Sequence, residues 1–125
     1  MNRFIVLLLL ICTACNIDEQ DETSDPVFCT TELSPGLEIT VLDATNNMLI
    51  VTGITVIVTD NDYTETLVNF ADTDVFVGAF ERTGSYTITV SGDGYETFIT
   101  DVPIVVEEDF CHVITESMDI LLISQ

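Results

Sequence analysis

Few side chains in this 125-residue chain have the chemistry to move a proton or hold a metal. His112 is the only histidine, and so the one side chain whose ordinary titration falls near neutrality. A lone imidazole serves as a general base only where a nucleophile or an orienting carboxylate converges on it. Directly after Cys111 it reads instead as a packed or hydrogen-bonded strand residue. Oxygen ligands are plentiful. Asp60, Asp62 and Glu65 lie close together, with Asp72 and Asp74 on or near an adjoining loop, and hard carboxylate oxygens are what calcium takes. Their spacing lacks the Asp-x-Asp-x-Asp-Gly loop with a later bidentate Glu, so the five read as a solvated hairpin tip before they read as a calcium site. Glu107, Glu108 and Asp109 form a second acidic run, expected to be a solvated loop. Arg82 is expected to pair with a carboxylate, and beyond Arg3 it is the only cation able to take an anion. These residues compose no catalytic set and no cofactor motif, so the sequence predicts a protein that is not an enzyme.

The start of the chain has a different character. Arg3 precedes an unbroken apolar run from Phe4 to Ile11, the small residues Thr13 and Ala14 follow, and Cys15 leads into Asp18-Glu19-Gln20-Asp21-Glu22. The apolar run is far short of the roughly 20 residues that cross a bilayer, and the order is that of a secretory signal peptide. Cys12-Thr13-Ala14-Cys15 resembles the lipobox of bacterial lipoproteins, with Cys12 standing where Leu, Val or Ile is usual. The resemblance implies cleavage after Ala14, acylation of Cys15 and attachment to the envelope membrane. Asn16, rather than Asp, implies the outer membrane, with its periplasmic or surface face left open.

Cysteine counting then becomes short. Of four cysteines, Cys12 leaves with the signal and Cys15 is acylated, so Cys29 and Cys111 remain in an oxidising compartment and are expected to pair. Closing a loop of about 82 residues is worth about 4.5 kcal/mol in the chain-entropy model. A zinc site would need a third and fourth ligand, and only His112, awkwardly adjacent to Cys111, offers itself.

Charge narrows the partners. Acidic residues number 22 against two basic ones, a net charge of −20, and one of the two cations is Arg3 within the signal. Nucleic acid is excluded, because binding phosphates requires Lys and Arg to displace counterions. Anionic headgroups repel such a domain as well, so membrane attachment is left to acyl chains. A surface this acidic also favours solubility and the monomer.

Three parts follow: residues 1–14 as signal peptide, 15–28 as an acidic flexible tether, and 29–125 as one domain, large enough for a single core. The domain's hydrophobic period is two. Tyr86, Ile88 and Val90 alternate with Ser85, Thr87, Thr89 and Ser91; Leu37, Ile39 and Val41 repeat the pattern, as do Ile54, Val56 and Val58. Ile57 interrupts the outer face of that last strand, which predicts a central or covered position. Asp60-Asn61-Asp62 predicts a turn, with Tyr63 to Phe70 returning as the hairpin partner. Further strands are expected at 75–80, 95–100, 103–107 and 113–123. Gly84 is expected to permit the turn into its strand, and Tyr86 and Tyr95 to plug the core. With no helical spacing, the fold class is all-β: an antiparallel Greek-key β-sandwich of about seven strands.

The stretch Glu81-Arg82-Thr83-Gly84-Ser85-Tyr86-Thr87-Ile88-Thr89-Val90-Ser91-Gly92-Asp93-Gly94-Tyr95, with the later Asp109-Phe110-Cys111-His112-Val113, resembles the carboxypeptidase regulatory-like domain family. The resemblance covers about residues 29–123. It implies a prealbumin-like sandwich of seven strands, an accessory or binding role and no activity of its own. The expected function is therefore a lipid-anchored, non-catalytic binding or structural module with an unknown protein or glycan partner and no cofactor. A calcium- or glycan-dependent adhesion module is the alternative. An enzyme is a remote one, requiring a hydroxyl and a carboxylate to converge on His112.

Overall fold

A computed structural model describes residues 25–125. Cys15, the signal segment and most of the acidic stretch lie outside the described residues. The period-two runs become strands because their alternate side chains meet across one interior. In chain order the strands are β1 (Leu37–Asp43), β2 (Ile54–Asp60), β3 (Tyr63–Thr66), β4 (Val68–Asn69), β5 (Val75–Gly78), β6 (Gly84–Gly92), β7 (Phe98–Ile99), β8 (Ile104–Val106) and β9 (Glu116–Leu122). They form two sheets, β4-β5-β1-β9 and β3-β2-β6-β7, with β8 also on β6. No helix occurs among the described residues, and the class is an all-β sandwich.

The core lies between the sheets. Leu37, Ile39, Val41, Phe76, Ile120 and Leu122 come from one, and Val56, Val58, Tyr86, Ile88, Val90 and Val106 from the other. Ile57 is half-buried, and β2 lies between β3 and β6, the central place its sequence predicted. Tyr86 is fully buried and its hydroxyl donates to the Arg82 carbonyl at 2.9 Å, so a core ring keeps its polar end satisfied.

Three details depart from the expected strands. Tyr63 to Phe70 is not one hairpin partner but a bent strand that changes sheets at Leu67, β3 pairing with β2 and β4 with β5. The bend has a cause: Leu67 turns into the core, and Gly78 leaves room for it, since a Cβ there would overlap Leu67 Cδ2 and crowd Glu65. The expected strand over 95–100 pairs only at Phe98–Ile99. Its first half is held by the chain's end instead, Glu96 N–H donating to Ile123 O at 2.8 Å and Gln125 N–H to Gly94 O at 2.9 Å. Finally, β1 and β9 run parallel, from Leu37↔Glu116 to Asp43↔Leu122, whereas every other strand pair is antiparallel. With β3 and β4 counted as one bent strand, the nine segments reduce to eight, against the about seven expected.

Cys29 and Cys111 are bonded, with Cα atoms 5.2 Å apart and 82 positions between them in sequence. The bond ties the irregular lead-in before β1 to the loop between β8 and β9. Replacing both cysteines by Ala is expected to lower the unfolding free energy by about 2–4 kcal/mol, read from urea melts; an unchanged midpoint would show that the loop closure contributes nothing.

Candidate functional site

The residues with reactive chemistry gather at the end of the sandwich that carries the disulfide. The chain leaves β5 for the opposite sheet through Ala79-Phe80-Glu81, where Ala79 (φ 52°) and Glu81 (φ 50°) are both left-handed. This conformation is uncommon for residues with a Cβ, and the surroundings hold it. Ala79 N–H donates to Glu65 Oε2 at 2.6 Å, and Gly36 N–H donates to Ala79 O at 3.1 Å. Gly36 is needed for that approach, because a Cβ would stand 2.7 Å from the same carbonyl oxygen.

Glu81 then joins three segments. Its N–H donates to Ser34 O at 3.0 Å, while Ser34 N–H donates back to Oε1 at 2.7 Å. The His112 ring bonds the same oxygen through Nδ1 at 2.7 Å, and Val113 N–H reaches Oε2 at 3.3 Å. The Ser34 amide is the largest influence on this carboxyl; burial opposes it, and the lesser bonds from His112 and Val113 help to hold the carboxyl below its ordinary range. Asp109 shapes the loop that presents His112, accepting from the N–H groups of Cys111 at 2.8 Å and His112 at 2.9 Å, and these bonds depress its own carboxyl. Asp109 is thus a loop-forming residue rather than a merely solvated one.

A carboxylate only accepts, so Nδ1 of His112 carries the proton, and in the neutral ring Nε2 accepts from a hydroxyl. That hydroxyl is Thr30 Oγ1, 3.0 Å away. Hydroxyl, imidazole and carboxylate therefore stand in the order used for nucleophilic catalysis, a convergence the sequence did not reveal. His112 lies in a loop rather than a strand. Glu81 is also shared with two backbone amides, those of Ser34 and Val113, and so serves as a junction between segments as well.

Arg82 makes the neighbouring contact set. Its Nη1 donates to Asp60 Oδ2 at 3.0 Å and to Tyr86 Oη at 2.8 Å, and its guanidinium lies 3.7 Å above the centroid of the Tyr63 ring. The Tyr86 and Asp60 bonds keep it firmly charged. Gly84 serves this pair rather than a turn: its φ is not positive, and a Cβ there would stand 2.5 Å from Asp60 Oδ2.

The calcium candidates are not brought together. Asp60 is committed to Arg82 and Glu65 to the Ala79 amide, Asp62 tips the β2–β3 turn, and Asp72 and Asp74 belong to the β4–β5 loop. Among the described residues no three Asp, Glu, His or Cys side chains are placed to hold a metal ion.

One concavity borders this end of the sandwich and another lies at the opposite end. The first, of about 310 Å³, lies on the outer face of β1 and β5, lined by Leu33, Phe70, Val75, Val77 and Phe80 with Glu38 as the charged member. The other, of about 490 Å³, lies among the loops around Asp43, Met48 and Tyr95, where the Tyr95 hydroxyl donates to Asp43 Oδ2 at 3.1 Å. Neither is lined by Thr30 or His112. The first was missed in the sequence, although Leu33, Phe70 and Phe80 are large apolar residues outside any alternating run, a signal that was there to be read. Fold and site together define a two-sheet β-sandwich whose polar residues fasten its loops. No protein-family model matches the chain, and no curated protein matches it in sequence.

The depressed Glu81 carboxyl gives stability a pH dependence of known sign. Its contribution is complete above the ordinary value of 4.5 and is lost as pH falls through the lower folded value. General protonation of the acidic surface acts oppositely by relieving repulsion, so the comparison must be between variants. Glu81→Gln is expected to remove the excess acid-side loss relative to the parent in melts between pH 6 and pH 3, on the order of the titration range of carboxyls. Parallel curves would show that the junction does not depend on charge.

Proposed function

We propose that this chain is a lipid-anchored component of a bacterial envelope, attached through Cys15, whose β-sandwich is a non-catalytic binding or structural module of the carboxypeptidase regulatory-like kind. What supports a non-catalytic role is the use made of the reactive side chains. Glu81, His112 and Arg82 each bond to another segment, and Asp109 bonds the amides of its own loop, so that these side chains serve to fasten loops. The two stretches behind the family resemblance meet at this same place, Glu81 of the first bonding His112 and Val113 of the second. The anchor supplies what the charge denies, since a chain with 22 acidic residues gains no attraction from anionic lipid. Expressed in an enterobacterial host, the parent is expected to partition with membranes and carry the mass of an acylated N-terminal cysteine. Cys15→Ser is expected to lose both; unchanged mass and partitioning would end the lipoprotein reading.

A catalytic reading has one observation in its favour, the Thr30–His112–Glu81 order. It demands a nucleophilic Thr30. After incubation with a fluorophosphonate the intact mass is expected to stay that of the untreated protein. An adduct on Thr30 that is absent from Thr30→Val would replace the module with a hydrolase.

A further inference from the structure

We infer that the groove on the outer face of β1 and β5 is the domain's docking site, and that its occupant is an extended segment of a partner protein bearing apolar anchors beside a Lys or Arg. The inference rests on the binding-module reading and adds to it the place and the partner's chemistry. The first observation is burial in the wrong place. Val77 alternates with Phe76, which points into the sandwich, so it belongs to the outer face; yet it is only 7% exposed and stands outside the core cluster. Groove walls enclose it. Meanwhile Leu33, Phe70 and Phe80, which form those walls, are themselves 69%, 58% and 41% exposed. Contiguous apolar surface of this kind marks interaction sites. At about 310 Å³ the groove is at the small end of the roughly 300–1,000 Å³ range of ligand pockets, a size for side chains rather than a cofactor.

The walls are also built in advance. Leu33 and Pro35 flank Ser34, whose amide and carbonyl both bond to Glu81, and Phe80 sits between the two left-handed residues of that turn. Phe70 is fixed by its own N–H to Val75 O at 3.0 Å and by the Thr73 hydroxyl to its carbonyl at 2.7 Å. A preformed wall spares the occupant the entropy of ordering it.

Charge selects the occupant. Glu38 is the single charged residue of the lining, and its Oε2 takes only a 3.3 Å bond from the Ser117 hydroxyl. The chain's own acidic stretch, with Asp18, Glu19, Asp21 and Glu22, carries the same sign as Glu38; so do a second copy of the chain and an anionic bilayer. A cationic, apolar segment is attracted where these are repelled.

The test uses three capped heptapeptides, Gly-Phe-Ser-Xaa-Ser-Phe-Gly, with Xaa as Lys, Gln or Glu, titrated into the nitrogen-15-labelled mature chain with its disulfide intact. The Lys peptide is expected to shift the amides of Glu38, Val75, Val77 and Phe80 saturably in the millimolar range, and to bind about fivefold tighter than the Gln peptide, with the Glu peptide weaker still. Glu38→Gln is expected to erase the Lys–Gln difference. Leu33→Ser with Phe70→Ser, both at exposed positions, is expected to weaken all three by about tenfold or more. The proposal is overturned by the absence of saturable shifts, by equal affinity for the Lys and Glu peptides, or by shifts centred on the concavity around Asp43 and Tyr95. Each of those results leaves the anchored, non-catalytic reading standing, because that reading fails on membrane partitioning and adduct mass instead.

Discussion

The carboxylate of Glu81 accepts from the Ser34 amide, the Val113 amide and the His112 ring, and these three segments have no strand ladder to join them. The core cannot do that work. Among the described residues it contains no buried polar or charged side chain other than the tyrosine hydroxyl of Tyr86, and burial of Val, Ile and Leu is non-directional. Orientation at this end of the sandwich must therefore come from hydrogen bonds. The turn that presents Glu81 contains two left-handed residues, each costing on the order of 1–3 kcal/mol unless the surroundings over-determine them. Here they do: the Gly36 amide on Ala79 O, Glu65 on the Ala79 amide and Ser34 O on the Glu81 amide fix the same few residues from three sides.

A chain with 22 carboxylates, no Lys and two Arg cannot neutralise its acids with cations. Its one described Arg is consumed by Asp60 and by two tyrosine rings, and its one His by Glu81. The remaining organised carboxylates turn to backbone amides. Glu65 takes Ala79 N–H, Asp109 takes those of Cys111 and His112, and Asp43 takes that of Thr45. Charge-assisted bonds to N–H groups are stronger than neutral ones, so the acidic composition that excludes so many partners also supplies the fasteners of its own loops. The depressed carboxyls of Glu81, Asp43 and Asp109 all have such amides among their leading causes.

Alternation along β1, β2 and β6 was legible in the sequence because a buried face leaves every second residue apolar whatever its neighbours do. The disulfide was legible for a different reason, since counting left only Cys29 and Cys111. The bend at Leu67 was not, because its cause is the missing side chain of Gly78 in another strand. Nor was the capture of 94–96 by the chain's end, a contact between segments some 30 positions apart that leaves no local pattern. The Thr30–His112–Glu81 order escaped on the same ground: 82 positions separate the first two and 31 the last two. Glu81 was noticed only as part of a resemblance and His112 also as a lone imidazole, and neither observation says that the two touch.

The disulfide and the Glu81 junction restrain the same lead-in in different ways. A bond between Cys29 and Cys111 acts chiefly on the unfolded chain, by removing conformations in which those ends are far apart. It fixes a distance and leaves the path from Cys29 to β1 open. The Ser34–Glu81 pair of hydrogen bonds acts only in the folded state and fixes that path, laying Leu33 and Pro35 beside Phe80 where they line the groove. Neither restraint substitutes for the other. The covalent bond without the carboxylate would hold the lead-in near the sandwich with no defined surface, while the carboxylate without the bond would have to order about seven residues from Cys29 to Pro35 at about 1–2 kcal/mol each. The two together turn an irregular segment into one wall of the groove.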